Sequence, residues 1–86
     1  MDDGLARHIG RRLRSRRRLL ELTQKELGAR CGVSFQMIHK YENGLVQLSA
    51  AGLYELSRAL QVSSTYFFDG FCRELDRHAR GAHPPA

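Results

Sequence analysis

The sequence is poor in the residues that build disulfide scaffolds and metal centres. It has no tryptophan, two prolines and two cysteines in 86 residues. Cys31 and Cys72 stand far apart, and neither belongs to a Cys-x-x-Cys pair, so neither a disulfide framework nor a zinc site is expected. The four histidines, at positions 8, 39, 78 and 83, lack the i, i+4 spacing that places two imidazoles on one helix face. We therefore expect no metal ion and no cofactor.

Other absences exclude a membrane protein and an enzyme. No stretch approaches the roughly 20 apolar residues needed to cross a bilayer, and the N-terminus lacks the apolar run of a secretory signal. We therefore expect a cytoplasmic protein with no membrane partner. No nucleophile and base at motif spacing, no paired acids and no phosphate-binding glycine loop occur, so catalysis is not expected. The sequence also shows neither the alternation typical of strands nor an internal repeat.

Positive charge is abundant and unevenly distributed. Lysine and arginine number 14 against nine acidic residues, and the sequence pI is about 9.9. Residues 5–40 carry ten of the basic side chains and only two acids, Glu21 and Glu26. Most of the basic residues are arginine, whose planar guanidinium suits bidentate contacts to phosphate or guanine. This charge fits a polyanionic partner, although a solvated basic surface would have the same composition.

Hydrophobic spacing and capping residues predict an all-α chain of five short helices. The predicted helices span residues 5–20, 24–31, 35–43 and 50–61, followed by a short helix that begins after Ser63 and ends before Asp69 and Gly70. In the first helix, Leu5, Ile9, Leu13 and Leu20 form the buried stripe. We expect one compact domain over residues 5–70. Residues 71–86 would be a C-terminal extension, with a short helix followed by a disordered tail.

The segment from Gln24 to Asn43 has the pattern of two short helices joined by a tight turn. Gly28 allows a close helix contact, and Gly32 allows the turn. The shared apolar underside comprises Leu27, Cys31, Val33, Ile38 and Tyr41. Ile38 and Tyr41 point inward from the predicted helix 35–43. The outward face of that helix therefore comprises Phe35, Gln36, His39 and Lys40.

These residues resemble the phage-repressor and Cro-type helix-turn-helix family, also called the Xre family. The resemblance includes Gln24, the run of Leu27, Gly32, Val33 and Ser34, and the Glu42-Asn43-Gly44 ending, and it extends from about Ile9 to Gly70. It implies a lambda-repressor-like bundle with the helix-turn-helix at its second and third helices. The implied partner is double-stranded DNA, with helix 35–43 as the recognition helix in the major groove.

The resemblance and the outward face together assign roles to individual residues. Side chains that would contact bases are Ser34, Phe35, Gln36, His39 and Lys40. Side chains that would contact phosphate are Gln24, Asn43, Arg17, Arg14 and Lys25. Arg17 also matches the family position that pairs with the glutamate of the recognition helix, here Glu42. A structural ion pair and a phosphate contact are equally compatible with Arg17, and both can hold.

Two positions depart from the family pattern. Many members have lysine or arginine in the loop after the recognition helix, whereas this chain has Leu45, Val46, Gln47 and Leu48. Either the arginines of the first helix replace that charge, or Leu45 and Val46 pack against the core or a second subunit. The other departure is Gly28, where alanine is usual; glycine lowers helix propensity there by ~1 kcal/mol.

The sequence thus predicts a transcriptional regulator, a repressor that binds a pseudo-palindromic operator as a homodimer and is associated with the nucleoid. The predicted interface is the region of the last two helices and the C-terminal segment, with Tyr66, Phe67 and Phe71, unless these residues all belong to the core. Two alternatives come from other classes. The chain could be a protein-interaction module, such as an antitoxin or adaptor, or it could bind RNA through its arginine-rich first helix.

Overall fold

The computed structural model describes residues 4–71, and all the regular elements in that range are helices. Its elements are α1 (Gly4–Leu19), α2 (Gln24–Cys31), α3 (Phe35–Glu42), α4 (Ala50–Leu60) and a 3₁₀ helix (Ser64–Phe68). The all-α prediction is confirmed, with each α-helix boundary within one residue of its predicted position. The fifth predicted helix is a 3₁₀ helix. The prediction for the C-terminal extension falls, apart from Phe71, outside the described residues.

Neither a membrane-spanning helix nor a metal-binding cluster occurs in the part of the chain that the structure describes. None of the helices between residues 4 and 71 is long and apolar enough to span a bilayer. Within the same range, no three His, Cys, Asp or Glu side chains come together in an arrangement that could hold a metal ion.

One apolar core joins all five helices. Its buried side chains are Ile9, Leu13, Leu27, Ile38, Leu56, Leu60 and Phe67. Phe67 is completely buried, so it belongs to the core and is not available to an interface. Leu5, predicted to continue the buried stripe of the first helix, is instead 36% exposed. The stripe reaches the core only from Ile9 onward; Leu5 instead lines a surface cleft with Gln47 and Leu48 of the loop after α3.

Caps and glycines at the turn set the geometry of α2 and α3. Thr23 and Glu26 form a reciprocal capping box at the start of α2, and the hydrogen bonds from the Thr23 backbone and hydroxyl lower the pKa of Glu26. Gly32 ends α2 in the left-handed region, at φ 74°. A Cβ atom built on Gly28 would lie 2.6 Å from the carbonyl oxygen of Val33. Glycine at position 28 therefore permits an approach that alanine would obstruct.

Gly10, which no sequence motif marks, allows the same kind of approach between α1 and α3. A Cβ atom on Gly10 would lie 2.6 Å from the backbone oxygen of Glu42 and would also collide with that of Tyr41. Both obstacles are backbone atoms, so they cannot move aside as a flexible side chain would. α1 therefore crosses the C-terminal end of α3 in direct backbone contact.

Two arginines of α1 connect it by hydrogen bonds to the 3₁₀ helix and to the last residue of α4. Arg12 Nε donates to the carbonyl of Tyr66 at 3.0 Å, and its guanidinium lies 3.9 Å from the centre of the Tyr66 ring. The Tyr66 hydroxyl in turn donates to the carbonyl of Arg12 at 3.1 Å. Arg16 Nε donates to the carbonyl of Leu60 at 2.9 Å. These contacts hold the 3₁₀ helix against α1 and keep Phe67 in the core.

Two helices end on residues that are strained in the conformation they adopt. Glu21 follows α1 at φ 58°, and Gln61 follows α4 at φ 59°. In each turn the next residue closes a six-residue loop: Leu22 N–H donates to Arg17 O, and Val62 N–H donates to Ser57 O, both at 3.0 Å. Glycine normally occupies this left-handed position, because a Cβ atom there is sterically unfavourable.

Replacing either strained residue with glycine should stabilise the protein. We expect Glu21→Gly and Gln61→Gly each to raise the free energy of unfolding by about 0.5–1 kcal/mol in urea titrations. Ala29→Gly is the matched control, since Ala29 is exposed inside α2 and should lose about 1 kcal/mol there. Destabilisation by Glu21→Gly of the size seen for Ala29→Gly would contradict the strain at Glu21.

Cys31 should be a poorly reactive thiol. It is half-buried beside a cleft of about 250 Å³ between α2, α3 and α4, and burial, then the negative charge of Glu55, raises its pKa. In a Cys72→Ser background, the midpoint of the alkylation pH profile should therefore lie above that of a free cysteine peptide. Glu55→Gln should move the midpoint down. A midpoint at or below that of the peptide would contradict this account.

Candidate nucleic-acid interface

α3 is the recognition helix that the sequence predicts, and burial divides it sharply. Ile38 is fully buried and Glu42 is 5% exposed, whereas Phe35 is 48% exposed. The exposed side comprises Phe35, Gln36, His39 and Lys40. Ser34 precedes this face as the N-cap, where its hydroxyl accepts the backbone N–H of Met37 at 3.2 Å. The structure thus brings all five predicted base-contacting residues to one exposed region.

The exposed side chains of α3 form one wall of an open groove of about 430 Å³. The residues that line it are Gln24, Phe35, Gln36, His39, Lys40 and Leu45. Gln24 comes from the first turn of α2, and Leu45 from the loop after α3. Donors and acceptors that can bind base edges are therefore grouped beside apolar side chains. This mixed lining could accommodate both the polar edges and the methyl groups of base pairs.

Leu45 belongs to this surface although it is not among the residues predicted to contact DNA. It is 66% exposed and lines the groove with Phe35, whereas Leu48 of the same loop packs against the core. Core packing was one of the two expected fates of the apolar loop, and at Leu45 it does not occur. The available signal was its position directly after Gly44, which turns the chain at φ 68° at the end of the recognition helix.

A buried carboxylate links three helices behind the groove. Arg17 of α1 donates to Glu42 through Nε at 2.5 Å and through a terminal nitrogen at 3.0 Å, and also donates to the carbonyl of Leu22 at 2.8 Å. Gln24 Nε2 donates to Glu42 Oε1 at 3.0 Å. The Glu42 side chain is only 1% exposed, so its charge is almost fully removed from water. Such a charge requires close partners of this kind.

The same hydrogen bonds determine how much of the Arg17 and Gln24 side chains is available at the surface. The Arg17 side chain is 11% exposed and forms the structural ion pair with Glu42. Its contact with phosphate stays a prediction, and any such contact would use the small edge that reaches solvent. Gln24 is fixed by Glu42 at the rim of the groove, with its amide oxygen not engaged in any hydrogen bond found among residues 4–71. The carboxylate therefore orients a residue at the surface without being exposed itself.

The remaining predicted phosphate contacts occupy the edges of this region. Asn43 is exposed at the C-terminal end of α3, where its side-chain amide donates to the carbonyl of His39 at 2.8 Å. This bond caps α3 and directs the side chain. Lys25 is exposed in the first turn of α2, and Arg14 is exposed on α1. Their roles toward phosphate remain predictions.

Removing one member of the buried ion pair should strongly destabilise the fold. Arg17→Met leaves the Glu42 carboxylate buried without its bidentate partner, and we expect a loss of about 3–5 kcal/mol in the free energy of unfolding. The double variant Arg17→Met with Glu42→Leu should recover most of that loss, because neither charge then remains. Arg18→Met, at the adjacent exposed arginine, should change stability by less than ~0.5 kcal/mol. Equal losses at positions 17 and 18 would refute the role of the pair.

Comparison with known proteins identifies relatives of this chain. A family model described as "Helix-turn-helix" matches residues 13–67, more than half of the chain. An uncharacterized transcriptional regulator in the ATPase CF(0) region of Rhodospirillum rubrum is 48% identical over 71 residues, covering 83% of this chain and 66% of that protein. The repressor protein C2 of Salmonella phage P22 is 32% identical over 77 residues, covering 90% of this chain and 36% of the repressor.

A solved structure of a phage repressor has a fold similar to that of this chain. The P22 c2 repressor in complex with synthetic operator 9T has a TM-score of 0.68 and 37% identity, covering 72% of this chain and 94% of that chain. The chain spans about two thirds or less of the length of these two curated relatives. The resemblance inferred from the motif is confirmed. The chain belongs to the Cro/C1-type helix-turn-helix family and carries the DNA-binding domain of transcriptional regulators related to the phage repressors.

Proposed function

We propose that the chain is a transcriptional repressor that inserts α3 into the major groove of a specific operator. The observation that carries the proposal is the division of α3. Its inward residues, Ile38 and Glu42, are held by the core and by Arg17, while Gln36, His39 and Lys40 remain exposed along one groove. A helix held in this way presents its side chains to base edges with little loss of backbone freedom on binding.

Each side chain of the groove has a matching feature on a base pair. Gln36 can form a bidentate hydrogen bond to adenine, and Lys40 can donate to O6 and N7 of guanine. Phe35 and Leu45 form the apolar part of the groove, which suits the C5-methyl group of thymine. His39 adds a hydrogen-bonding group within the groove, and Ser34 adds one at the start of α3. An operator half-site that contains both A·T and G·C pairs fits this set.

Phosphate contacts would position the recognition helix without reading sequence. Gln24 and Lys25 lie in the first turn of α2, where free backbone N–H groups and the helix dipole favour an anion. Asn43 lies at the C-terminal end of α3, and Arg14 lies on α1. These residues would engage the backbone on the two sides of the groove that α3 enters. Arg17 supports them from behind through Glu42 and Gln24.

A homodimer would supply the second half-site. One recognition helix makes few base contacts, and paired half-sites about 10 base pairs apart add to discrimination. Of the three residues predicted for the interface, Phe67 is in the core and Tyr66 is bonded to α1. A groove of about 410 Å³ between α4 and the 3₁₀ helix, lined by Leu53, Tyr54 and Val62 among others, offers an exposed apolar surface for pairing. Tyr54, at its edge, is 58% exposed.

Selection from a pool of random duplexes tests the function, and two substitutions test the division of roles. Gln36→Ala should cost about 1–3 kcal/mol in binding and relax the preference at a single base pair, because it removes a base contact. Asn43→Ala should weaken binding to all sequences alike. Fluorescence anisotropy on the selected duplex and its single-base-pair variants measures both effects.

Gln61→Ala is the matched control for the glutamine, since Gln61 is exposed beyond α4 and away from the groove. It should leave affinity and sequence preference unchanged. Thermal unfolding of each variant separates loss of binding from loss of fold, which matters for Asn43 because it also caps α3. A uniform loss from Gln36→Ala across every sequence would contradict its role as a base-reading residue. Failure to enrich any duplex would contradict the function and favour a protein or RNA partner.

A further inference from the structure

The seven arginines of α1 fall into two groups with different tasks. Arg12, Arg16 and Arg17 donate hydrogen bonds to the 3₁₀ helix, to the end of α4 and to Glu42. The other four are exposed and form no ion pair or hydrogen bond with the part of the chain that the structure describes; they are Arg7, Arg11, Arg14 and Arg18. We call these four the arginine stripe. Maintaining the fold thus accounts for three arginines and leaves four, Arg14 among them, with no partner among the described residues.

The stripe is continuous and its charge is not neutralised. Its members follow the spacing i, i+4, i+7 and i+11, which places them along one side of a helix. At 1.5 Å per residue the stripe is about 16 Å long. The α1 sequence, GLARHIGRRLRSRRRL, contains no acidic residue. Four like charges in a row repel one another, so the stripe costs stability unless it binds an anion.

The position of α1 places the stripe beside the recognition helix. Gly10 touches the backbone of the last turn of α3, and Arg17 reaches Glu42 from the same side of α1. At 100° per residue, the stripe lies about 40–100° around α1 from Gly10 and about 60–120° from Arg17. The core residues Ile9 and Leu13 lie on the opposite side of Gly10 and Arg17. The stripe therefore flanks the contact with α3 and faces away from the core.

The C-terminal end of α3 is where the DNA backbone would lie. A recognition helix reads bases with its N-terminal residues, so its C-terminal end emerges at the edge of the major groove, where the phosphates are. Gly44, just beyond α3, is packed against Arg7: a Cβ atom on Gly44 would lie 3.0 Å from the Arg7 Cα. The start of the stripe is thus adjacent to the exit of α3. Arginines separated by one helical turn can contact successive phosphates along a strand.

We propose that the arginine stripe binds the backbone phosphates of the DNA that flanks the base pairs contacted by α3. It supplies the positive charge that the loop from Leu45 to Leu48 does not, and it extends the bound region beyond the recognised bases. The inference rests on the proposed function, since it requires a duplex engaged by α3. It predicts that affinity depends on the length of DNA outside the recognised sequence.

The test combines stripe variants with shortened DNA. One variant replaces all four stripe arginines with glutamine, and a matched control replaces them with lysine, which keeps the charge. Both bind a duplex selected from the random pool and versions of it from which flanking base pairs are removed stepwise. The wild type and the lysine variant should lose affinity as the flanks shorten. The glutamine variant should bind the long duplex more weakly and be insensitive to shortening.

Salt dependence gives a second readout. Each lost phosphate contact reduces the slope of log K against log salt by about 0.9, so the glutamine variant should have a slope smaller by up to about 3.6 per chain. Between 50 and 200 mM salt the wild type would then lose on the order of 100-fold more affinity than the variant. Equal slopes and equal length dependence for the wild type and the glutamine variant would overturn the proposal, as would a lysine variant that behaves like the glutamine variant.

The outcomes also separate this proposal from the proposed function. If a duplex is enriched but the glutamine variant binds it with unchanged slope and length dependence, the repressor function stands and the stripe proposal fails. If no duplex is enriched, both fail. Loss of binding to a structured RNA hairpin in the glutamine variant, with binding to the selected duplex unaffected, would assign the stripe to RNA and overturn the proposal. Urea unfolding of each variant confirms that these exposed substitutions leave the fold intact.

Discussion

The Glu42 carboxylate is the group on which the rest of the interface depends. It is buried at the last residue of α3, where an unpaired charge would be strongly unfavourable. Arg17 satisfies it from α1 and Gln24 satisfies it from α2, so three helices meet at one group. The ion pair need not increase net stability, because removing two charges from water offsets much of their attraction. Its effect is geometric: it sets the rotation of α3 about its own axis and holds Gln24 at the rim of the groove.

That rotation has consequences along the whole of α3. With Glu42 turned toward α1 and Ile38 toward the core, helical geometry leaves Gln36, His39 and Lys40 on the exposed side. Gly28 and Gly10 also help to fix the position of α3. Each allows a close backbone approach, to the start of α3 at Gly28 and to its end at Gly10, that a Cβ atom would prevent. A larger residue at either site would move α3 relative to α2 or α1. The exposed side of α3 is therefore oriented largely by residues that are themselves buried.

Local signals account for what the sequence predicted well. Thr23, Ser34 and Ser49 each accept a backbone N–H at the start of a helix, and such caps can be read directly from sequence. The outward face of α3 followed from two inward residues and the helical period. Features that depend on distant residues could not be read in this way. The exposure of Leu5 and Leu45 depends on how residues distant in the sequence pack around them. The contact at Gly10 involves residues more than 30 positions away, and a glycine in a helix has several possible reasons.

The arginines of α1 show most clearly where sequence reasoning stops. Seven arginines on one helix predict a basic surface, but the helical period alone does not reveal which of them are used internally. The structure divides them by partner: Arg12 and Arg16 face the backbone carbonyls of Tyr66 and Leu60, more than 40 residues further along the chain, and Arg17 faces Glu42. A carbonyl acceptor carries no charge and leaves no sequence signature, so these arginines look the same as their exposed neighbours in the sequence. Once they are assigned, the remaining four form a single stripe. Composition measures the total charge of the helix, whereas the fold determines how much of it is left for a partner.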